Sequence, residues 1–314
     1  MRLRAPTLAD APGIAAAMNE LGASLHGGAE ASADEIRLWL EAPDFDPEQD
    51  AVVAVDEDGS IAAYGDASDA TREGRLIWLD VSIRPGAQDA GRAVLDELER
   101  RAGERLAPDG RLKAYVHERD TLLAGLLEGR GYRVVRHSFR MEANLSAEPA
   151  APVWPEGISV RTFRAGEDDQ RVYEVQEETF ADQFEHEPLS YEEWRHWSFS
   201  DPYDPDLWFL AEGGDELAGI LLARSSRSGD ETLGWVSVLG VRRPWRRRGL
   251  GRALLLHAFH ELRARGKLRA GLGVDGANPT GAVALYEAAG MHVSRRYDHW
   301  QRYASQLPRK EAQS

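Results

Sequence analysis

Between residues 246 and 252 the chain sets Gly249 and Gly251 among four arginines, Arg246, Arg247, Arg248 and Arg252. Glycines at that spacing let the backbone turn so that successive N–H groups point into one concavity. The arginines add charge that can pair with phosphate oxygens in a bidentate manner. Such chemistry is anion binding, most naturally of a phosphate. Two elements must position it. The apolar run Trp235-Val236-Ser237-Val238-Leu239-Gly240-Val241 reads as a buried strand leading into the loop, and Leu254, Leu255, Ala258, Phe259 and Leu262 recur at helical spacing after it. Strand, glycine-bearing loop and helix follow in order, and the helix adds its partial positive charge to the concavity.

The form of the loop narrows what carries the phosphate. A dinucleotide fingerprint needs three glycines as G-x-G-x-x-G, and a P-loop ends in G-K-[ST]. Gly249-Leu250-Gly251 is followed by Arg252 and Ala253, so neither pattern applies. The loop resembles the R-x-x-G-x-G/A element of the GNAT superfamily of acyl-CoA N-acyltransferases. Downstream, Asn278-Pro279-Thr280-Gly281-Ala282 and Leu285-Tyr286-Glu287-Ala288-Ala289-Gly290-Met291 resemble that superfamily's later segment, and the two motifs stand in the family's order. The resemblance implies that Arg246, Arg247, Arg248, Gly249, Leu250, Gly251 and Arg252 cradle the pyrophosphate of acetyl-CoA. It implies that backbone N–H groups of Leu239 and Val241 meet the cofactor, and that Asn278 and Tyr286 meet its thioester end. Tyr286 is then the catalytic residue, protonating the departing sulfur.

Composition sets outer limits on these readings. At 314 residues the chain is long for one domain and comfortable for two, and 42% hydrophobic residues suffice for a real core. A net charge of -15 argues against a general nucleic-acid binder. There is no cysteine, hence no disulfide, thiolate metal site or cysteine nucleophile, and no cluster has metal-ligand spacing. Met1-Arg2-Leu3-Arg4-Ala5-Pro6 lacks an apolar signal core, and no run approaches the ~20 apolar residues of a membrane span. A cytoplasmic protein with no membrane partner is expected.

An offset of about 160 residues carries one half of the chain onto the other, a long internal repeat. Arg2-Leu3-Arg4 before a helix around Ile14 to Met18 corresponds to Ile158-Ser159-Val160-Arg161 before a helix around Val172 to Phe180. The hairpin over residues 51–64 corresponds to that over 207–221, Trp78 to Ile83 corresponds to the strand before the key loop, and Leu126 to Tyr132 corresponds to Leu285 to Met291. The proline- and alanine-rich stretch Leu145 to Pro155 reads as a linker. The expected organisation is therefore a domain over 1–145, a linker over 146–157 and a domain over 158–314. The expected fold class is α/β. The resemblance makes it two tandem GNAT-like acyl-CoA N-acyltransferase domains, each a twisted mixed sheet flanked by helices. Among tandem members the chain resembles the mycothiol synthase type in length and order, although Trp235 stands at the strand position of that type's acidic residue.

The two copies differ at the chemical positions. Asp89 replaces the first glycine of the loop, the arginines are missing from Gly86-Ala87-Gln88-Asp89-Ala90-Gly91, and Leu127 stands where the second copy has Tyr286. A carboxylate at Asp89 repels a pyrophosphate. The first half is expected to be a non-catalytic copy. The general base falls within Glu177-Glu178-Thr179-Phe180-Ala181-Asp182-Gln183-Phe184-Glu185-His186-Glu187, or a bound water carries the proton out. Trp194, Trp197, Trp208 and Trp235 either line an aromatic acceptor site or belong to the core, and His257 and His260 read as surface or packing residues. The expected activity is acetyl-CoA-dependent N-acetylation of a small-molecule amine by a monomer or homodimer. The alternative is a non-catalytic acyl-CoA-binding sensor or scaffold.

Overall fold

The computed structural model describes residues 1–200, 202–278 and 281–307. The chain forms two compact units, Met1–His137 with Tyr297–Ser314, and Ser138–Arg296. The first opens with β1 (Arg2–Arg4), α1 (Ala11–His26), α2 (Ala33–Leu40) and a single turn α3 (Pro47–Asp50). It continues through β2 (Ala51–Val55), β3 (Ile61–Asp69), β4 (Leu76–Ile83), α4 (Gln88–Arg105), β5 (Arg111–His117), α5 (Thr121–Gly129) and β6 (Arg133–Asn144). Every residue of β2 is buried because α4 covers one face of this sheet and α1 the other. The second half runs through β7 (Ile158–Thr162), α6 (Asp169–Phe180), α7 (Tyr191–Ser198), β8 (Trp208–Gly213), β9 (Glu216–Arg224) and β10 (Leu233–Val241). It ends with α8 (Leu250–Ala264), β11 (Arg269–Asp275), α9 (Ala282–Ala288) and β12 (His292–Tyr303).

The repeat extends to single contacts. Arg4 grips Asp10 with two hydrogen bonds of 2.7 and 2.6 Å, and Asp10 also accepts the Thr7 N–H at the start of the first helical segment. Arg161 grips Asp168 in the same way, at 2.6 and 2.8 Å, and Asp168 accepts the Arg164 N–H. In each half a bidentate guanidinium–carboxylate fork thus ties the first strand to the entry of the first helix.

Strand pairing is also duplicated. In the first unit β1, β2, β3 and β4 pair antiparallel in order, β4 pairs parallel with β5, and residues 297–303 of β12 close onto β5. In the second, β7, β8, β9 and β10 pair antiparallel, β10 pairs parallel with β11, and residues 138–144 of β6 close onto β11. The last strand of each unit therefore comes from the other half of the sequence. The compact units divide after His137 and after Arg296, whereas the repeat expected from sequence turns over within 146–157. That stretch carries no strand or helix before β7; it lies along α8, with Trp154 against His257 at 5.7 Å and His260 beside the Ala150 carbonyl at 3.2 Å.

What positions the site is the short reach of the parallel pairing. β10 and β11 pair at Leu233 with Arg269, Gly234 with Ala270 and Trp235 with Gly271, and then separate. β9 follows β10 onward to Val241, across a bulge between Val236 and Val238, while β6 follows β11 onward to Asp275. A bulge bends its strand and sharpens the local twist, which turns β10 away from β11. In the first unit β4 pairs with β3 without a register shift, and its parallel pairing with β5 runs one residue pair further, to Leu79 with Ala114.

Aligning the units on these registers sets Trp78 at the place of Trp235, Lys113 at Gly271, Tyr115 at Gly273 and His117 at Asp275. A Cβ on Gly271 would stand 2.9 Å from the Trp235 ring, whereas one on Gly273 would meet nothing within 4 Å. In the first unit the corresponding side chains fill the space: Tyr115 stacks on Trp78 at 4.7 Å and the Lys113 ammonium lies 5.3 Å over the same ring. We expect Gly271→Ala to lower stability by about 1–3 kcal/mol through overpacking, and Gly273→Ala to cost nothing measurable. Urea unfolding of the two variants checks the contrast.

Candidate active site

The loop after β10 is shaped by two residues in the left-handed region. Arg247 has φ 64°, and Gly249 has φ 86° where it caps the start of α8. The first hydrogen bond inside α8 runs from the Ala253 N–H to the Gly249 carbonyl at 3.0 Å, and the N–H groups preceding it in the first turn have no partner within a helix of this geometry. Leu250 is buried and pins the start of the helix to the core, while Trp245 packs so closely on Gly213 that a Cβ there would lie 2.2 Å from the indole. The loop is thereby rigid at both ends, and its donors converge without side-chain capping.

A cavity of about 320 Å³ opens from this loop into the gap between β10 and β11. Of the residues expected from sequence, Leu239, Val241, Arg246, Arg247, Gly249, Leu250, Gly251, Arg252, Asn278 and Tyr286 line it. Arg248 is not among its lining residues; its guanidinium stacks over Trp245 at 5.2 Å, where it holds the loop. Two further arginines are engaged in part by the protein. Arg246 donates to the Val241 carbonyl at 2.9 Å, and Arg252 donates to the Ala288 carbonyl at 3.1 Å, joining α8 to the end of α9.

Asn278 sits in the turn between β11 and α9, its N–H on the Asp275 carbonyl at 3.1 Å. Pro279 and Thr280 of the same motif lie outside the described residues. Gly281, with φ 76°, opens α9, which brings Tyr286 to the cavity wall. Burial pushes the Tyr286 hydroxyl up to about 12, so it stays protonated across the neutral range.

The acidic segment after α6 is largely occupied by basic partners. Asp182, which lines the cavity, pairs with Arg243 and, at 3.3 Å, with Arg246. These guanidiniums hold its carboxyl below the usual carboxylate range. Glu178 pairs with Arg242 at 2.8 Å, and Glu177 pairs with His186 at 3.1 Å. Trp194 and Trp208 are buried in a core cluster with Phe163 and Val172, so they do not form an aromatic acceptor wall. Trp197 packs edge-on against His196. His257 packs on Phe209 at 4.6 Å, and burial lowers its pKa, as suits a packing residue.

Three features of the site are not among those singled out from sequence. Gly273 leaves the gap open, Gly271 makes room for the Trp235 ring at the last strand pair before it, and Arg140 stands opposite Gly273 on β6, which joins the second unit. The glycines carried a signal, since a strand with two of them at alternate positions marks a close approach or an open floor. Arg140 carried none: its neighbour is more than a hundred residues away in sequence.

Comparison with known proteins agrees with this geometry. Residues 170–291 match the acetyltransferase (GNAT) family. The chain is 34% identical over 249 residues to a mycothiol acetyltransferase of Geodermatophilus obscurus, covering 76% of this chain and 78% of that one. It is 32% identical over 237 residues to that of Thermomonospora curvata, covering 74% and 76%. Among solved structures, a GCN5-related N-acetyltransferase from Sphaerobacter thermophilus superposes with a TM-score of 0.78 at 34% identity, covering 96% of this chain and 95% of that one. A tandem GNAT protein from the clavulanic acid biosynthesis pathway shares the fold with a TM-score of 0.77 at 16% identity, covering 98% and 99%.

The elevated Tyr286 hydroxyl has a direct spectroscopic consequence. In an alkaline absorbance titration, Tyr286→Phe should leave the phenolate signal developed by pH ~10.5 unchanged and remove amplitude only above it.

Proposed function

The chain belongs to the acetyltransferase (GNAT) family, and from that membership we propose that it is an acetyl-CoA-dependent N-acetyltransferase acting on the amine of a small molecule, with its chemistry confined to the second unit. The observation that carries this reading is the contrast between the two gaps. Gly273 leaves one open beside a glycine–arginine loop, while Tyr115 stands at the matching place of the other, stacked on Trp78, beside a helix whose first turn holds Asp89. An active site needs both an anion cradle and a path for the acyl chain, and the described residues of the second unit bring the two together.

In the reaction the amine nitrogen attacks the thioester carbonyl carbon, the C–N bond forms and the C–S bond breaks. One proton leaves the amine and one is gained by sulfur. The unpaired edge of β10 supplies backbone N–H groups, with Leu239 and Val241 the residues placed to donate, and donors fixed before the reaction stabilise the developing oxyanion most effectively. Tyr286 is protonated across the neutral range and meets the departing sulfur as a hydrogen-bond donor; because transfer of its proton to a thiolate of ordinary pKa, ~8.5, is uphill from about 12, the sulfur takes its proton from water. With Glu178 and Asp182 held by arginines, the amine proton leaves through the Glu177–His186 pair or through water.

Calorimetric titration should give one equivalent of acetyl-CoA per chain, abolished by Gly249→Asp. Two equivalents, or none, would remove the proposed asymmetry or the activity itself. Tyr286→Phe should keep the affinity for acetyl-CoA while lowering kcat by roughly 10²–10⁴-fold; unchanged turnover would take the tyrosine out of the mechanism. Asp182→Asn should tighten acetyl-CoA binding severalfold at low salt, because Arg243 and Arg246 lose a competing anion, and the gain should fade as salt screens the exposed charges.

A further inference from the structure

The bulge in β10 and its separation from β11 meet at one residue, Ser237. On one side β9 offers nothing opposite it, because the consecutive residues Leu222 and Ala223 pair with Val238 and Val236. On the other side the last pair with β11 is Trp235 with Gly271, two residues earlier. The valines flanking Ser237 show what the extra residue does. Val236 packs in the core with α8 and Val238 in the core with α6, so the usual alternation of faces is broken between them. Ser237 is the one exposed residue of β10, and it lines the cavity.

Position along the strand gives this side chain its chemistry. The loop after Val241 closes one end of the cavity, and Val236, Ser237, Leu272 and Gly273 line it toward the other. A strand advances about 3.3 Å per residue, so Ser237 lies roughly 7 Å beyond Leu239 on the side away from the loop. With the phosphates at the loop, the acyl end of the cofactor points to this inner end, and the amine must meet it there. Of those four residues Ser237 alone has a polar side chain, and among the described residues its hydroxyl makes no hydrogen bond. An amine N–H brought out of water into an apolar recess costs free energy unless something accepts it.

We propose that Ser237 orients the acceptor: its oxygen accepts a hydrogen bond from an N–H of the incoming amine. This rests on the N-acetyltransferase reading above and deepens it by placing the amine at the bulge. With one N–H held by Ser237, the nitrogen lone pair is directed at the acyl carbon, which the β10 edge fixes beside Leu239. The C–N bond then forms and the C–S bond breaks as above. Ser237 keeps its own proton, since no described side chain is bonded to its hydroxyl to take it, and the amine proton leaves by the route already given. Being uncharged, the hydroxyl orients the amine without trapping it as an ammonium ion, which has no lone pair to attack with. In the first unit the residue two places after Trp78 is Asp80, a carboxylate instead of a hydroxyl.

The test compares Ser237→Thr, which keeps the hydroxyl, with Ser237→Val, which has the shape of threonine without it. Ser237 is exposed and outside the strand ladder, so both variants should fold. Thiol release from acetyl-CoA is followed with a panel of amino alcohols, amino sugars, amino acid amides and diamines, and acetyl-CoA affinity is measured by calorimetry. The expected result is a kcat/KM for the best amine about tenfold lower in Ser237→Val and largely kept in Ser237→Thr, the size of effect that an unmade buried hydrogen bond gives. Affinity for acetyl-CoA should be unchanged in both. A residue that merely shapes the bulge would instead weaken acetyl-CoA binding in both variants, because Leu239 and Val241 follow the bulge. That result, equal losses in the two variants, or full turnover in Ser237→Val would overturn the proposal and leave the N-acetyltransferase reading standing. Bound acetyl-CoA with no amine of the panel acetylated by the unsubstituted protein would remove both.

Discussion

Backbone hydrogen bonding between two parallel strands governs this protein, through the point at which it stops. A buried N–H or C=O without a partner costs free energy comparable to a lost hydrogen bond, so a sheet interior does not part without cause. β10 and β11 nevertheless part after Trp235 and Gly271. The cavity, the glycines that keep it open and the loop at its end all follow from that separation. A ligand with its own amides and carbonyls, threaded into the gap, can take the place of the missing strand pairing. The protein thus keeps part of its sheet unfinished.

Seen this way, the duplicated halves represent two answers to one constraint. The first unit has a less abrupt split, with unshifted pairing behind it and side chains packed into it. The second unit keeps the bulge and the glycines. The first arrangement favours packing and the second favours binding, and one ancestral pattern of strands accommodates both because the differences lie in a handful of side chains on one face. Charge follows the same division. Asp89 stands in the first turn of α4, where the second unit has an arginine-rich turn before α8.

Much of this was legible in the sequence. The loop could be read because glycines and arginines in fixed local spacing carry their meaning within a dozen residues, and the repeat could be read because its halves keep strand and helix in order. The fold class follows from those two features together. The individual fates of Arg246, Arg248 and Asp182 were not legible, since each depends on a partner brought in by tertiary packing: the Val241 carbonyl, the Trp245 ring, and Arg243 with Arg246. Trp194 and Trp208 show the same limit from the other side. An aromatic residue looks alike in sequence whether it faces a ligand or a core, and these two are fully enclosed by other rings. The contact of Arg140 with Trp235 was hidden most deeply, because the two meet only through a strand contributed by the other half of the chain.

That contribution of strands bears on how the molecule is made. During synthesis the first sheet emerges early, but the strand that covers β5 at residues 111–117, residues 297–303, appears only after the whole second half of the repeat has been made up to that point. Until then β5 presents an open edge, the feature most prone to pairing with a foreign strand. The two halves, alike enough to look like independent modules, are for this reason unable to mature independently. Cutting the gene between the repeats would yield fragments that each carry one strand too many and lack another. Whatever allowed the duplicated ancestor to diverge, the exchange of closing strands bound its two copies into a single folding unit of inheritance.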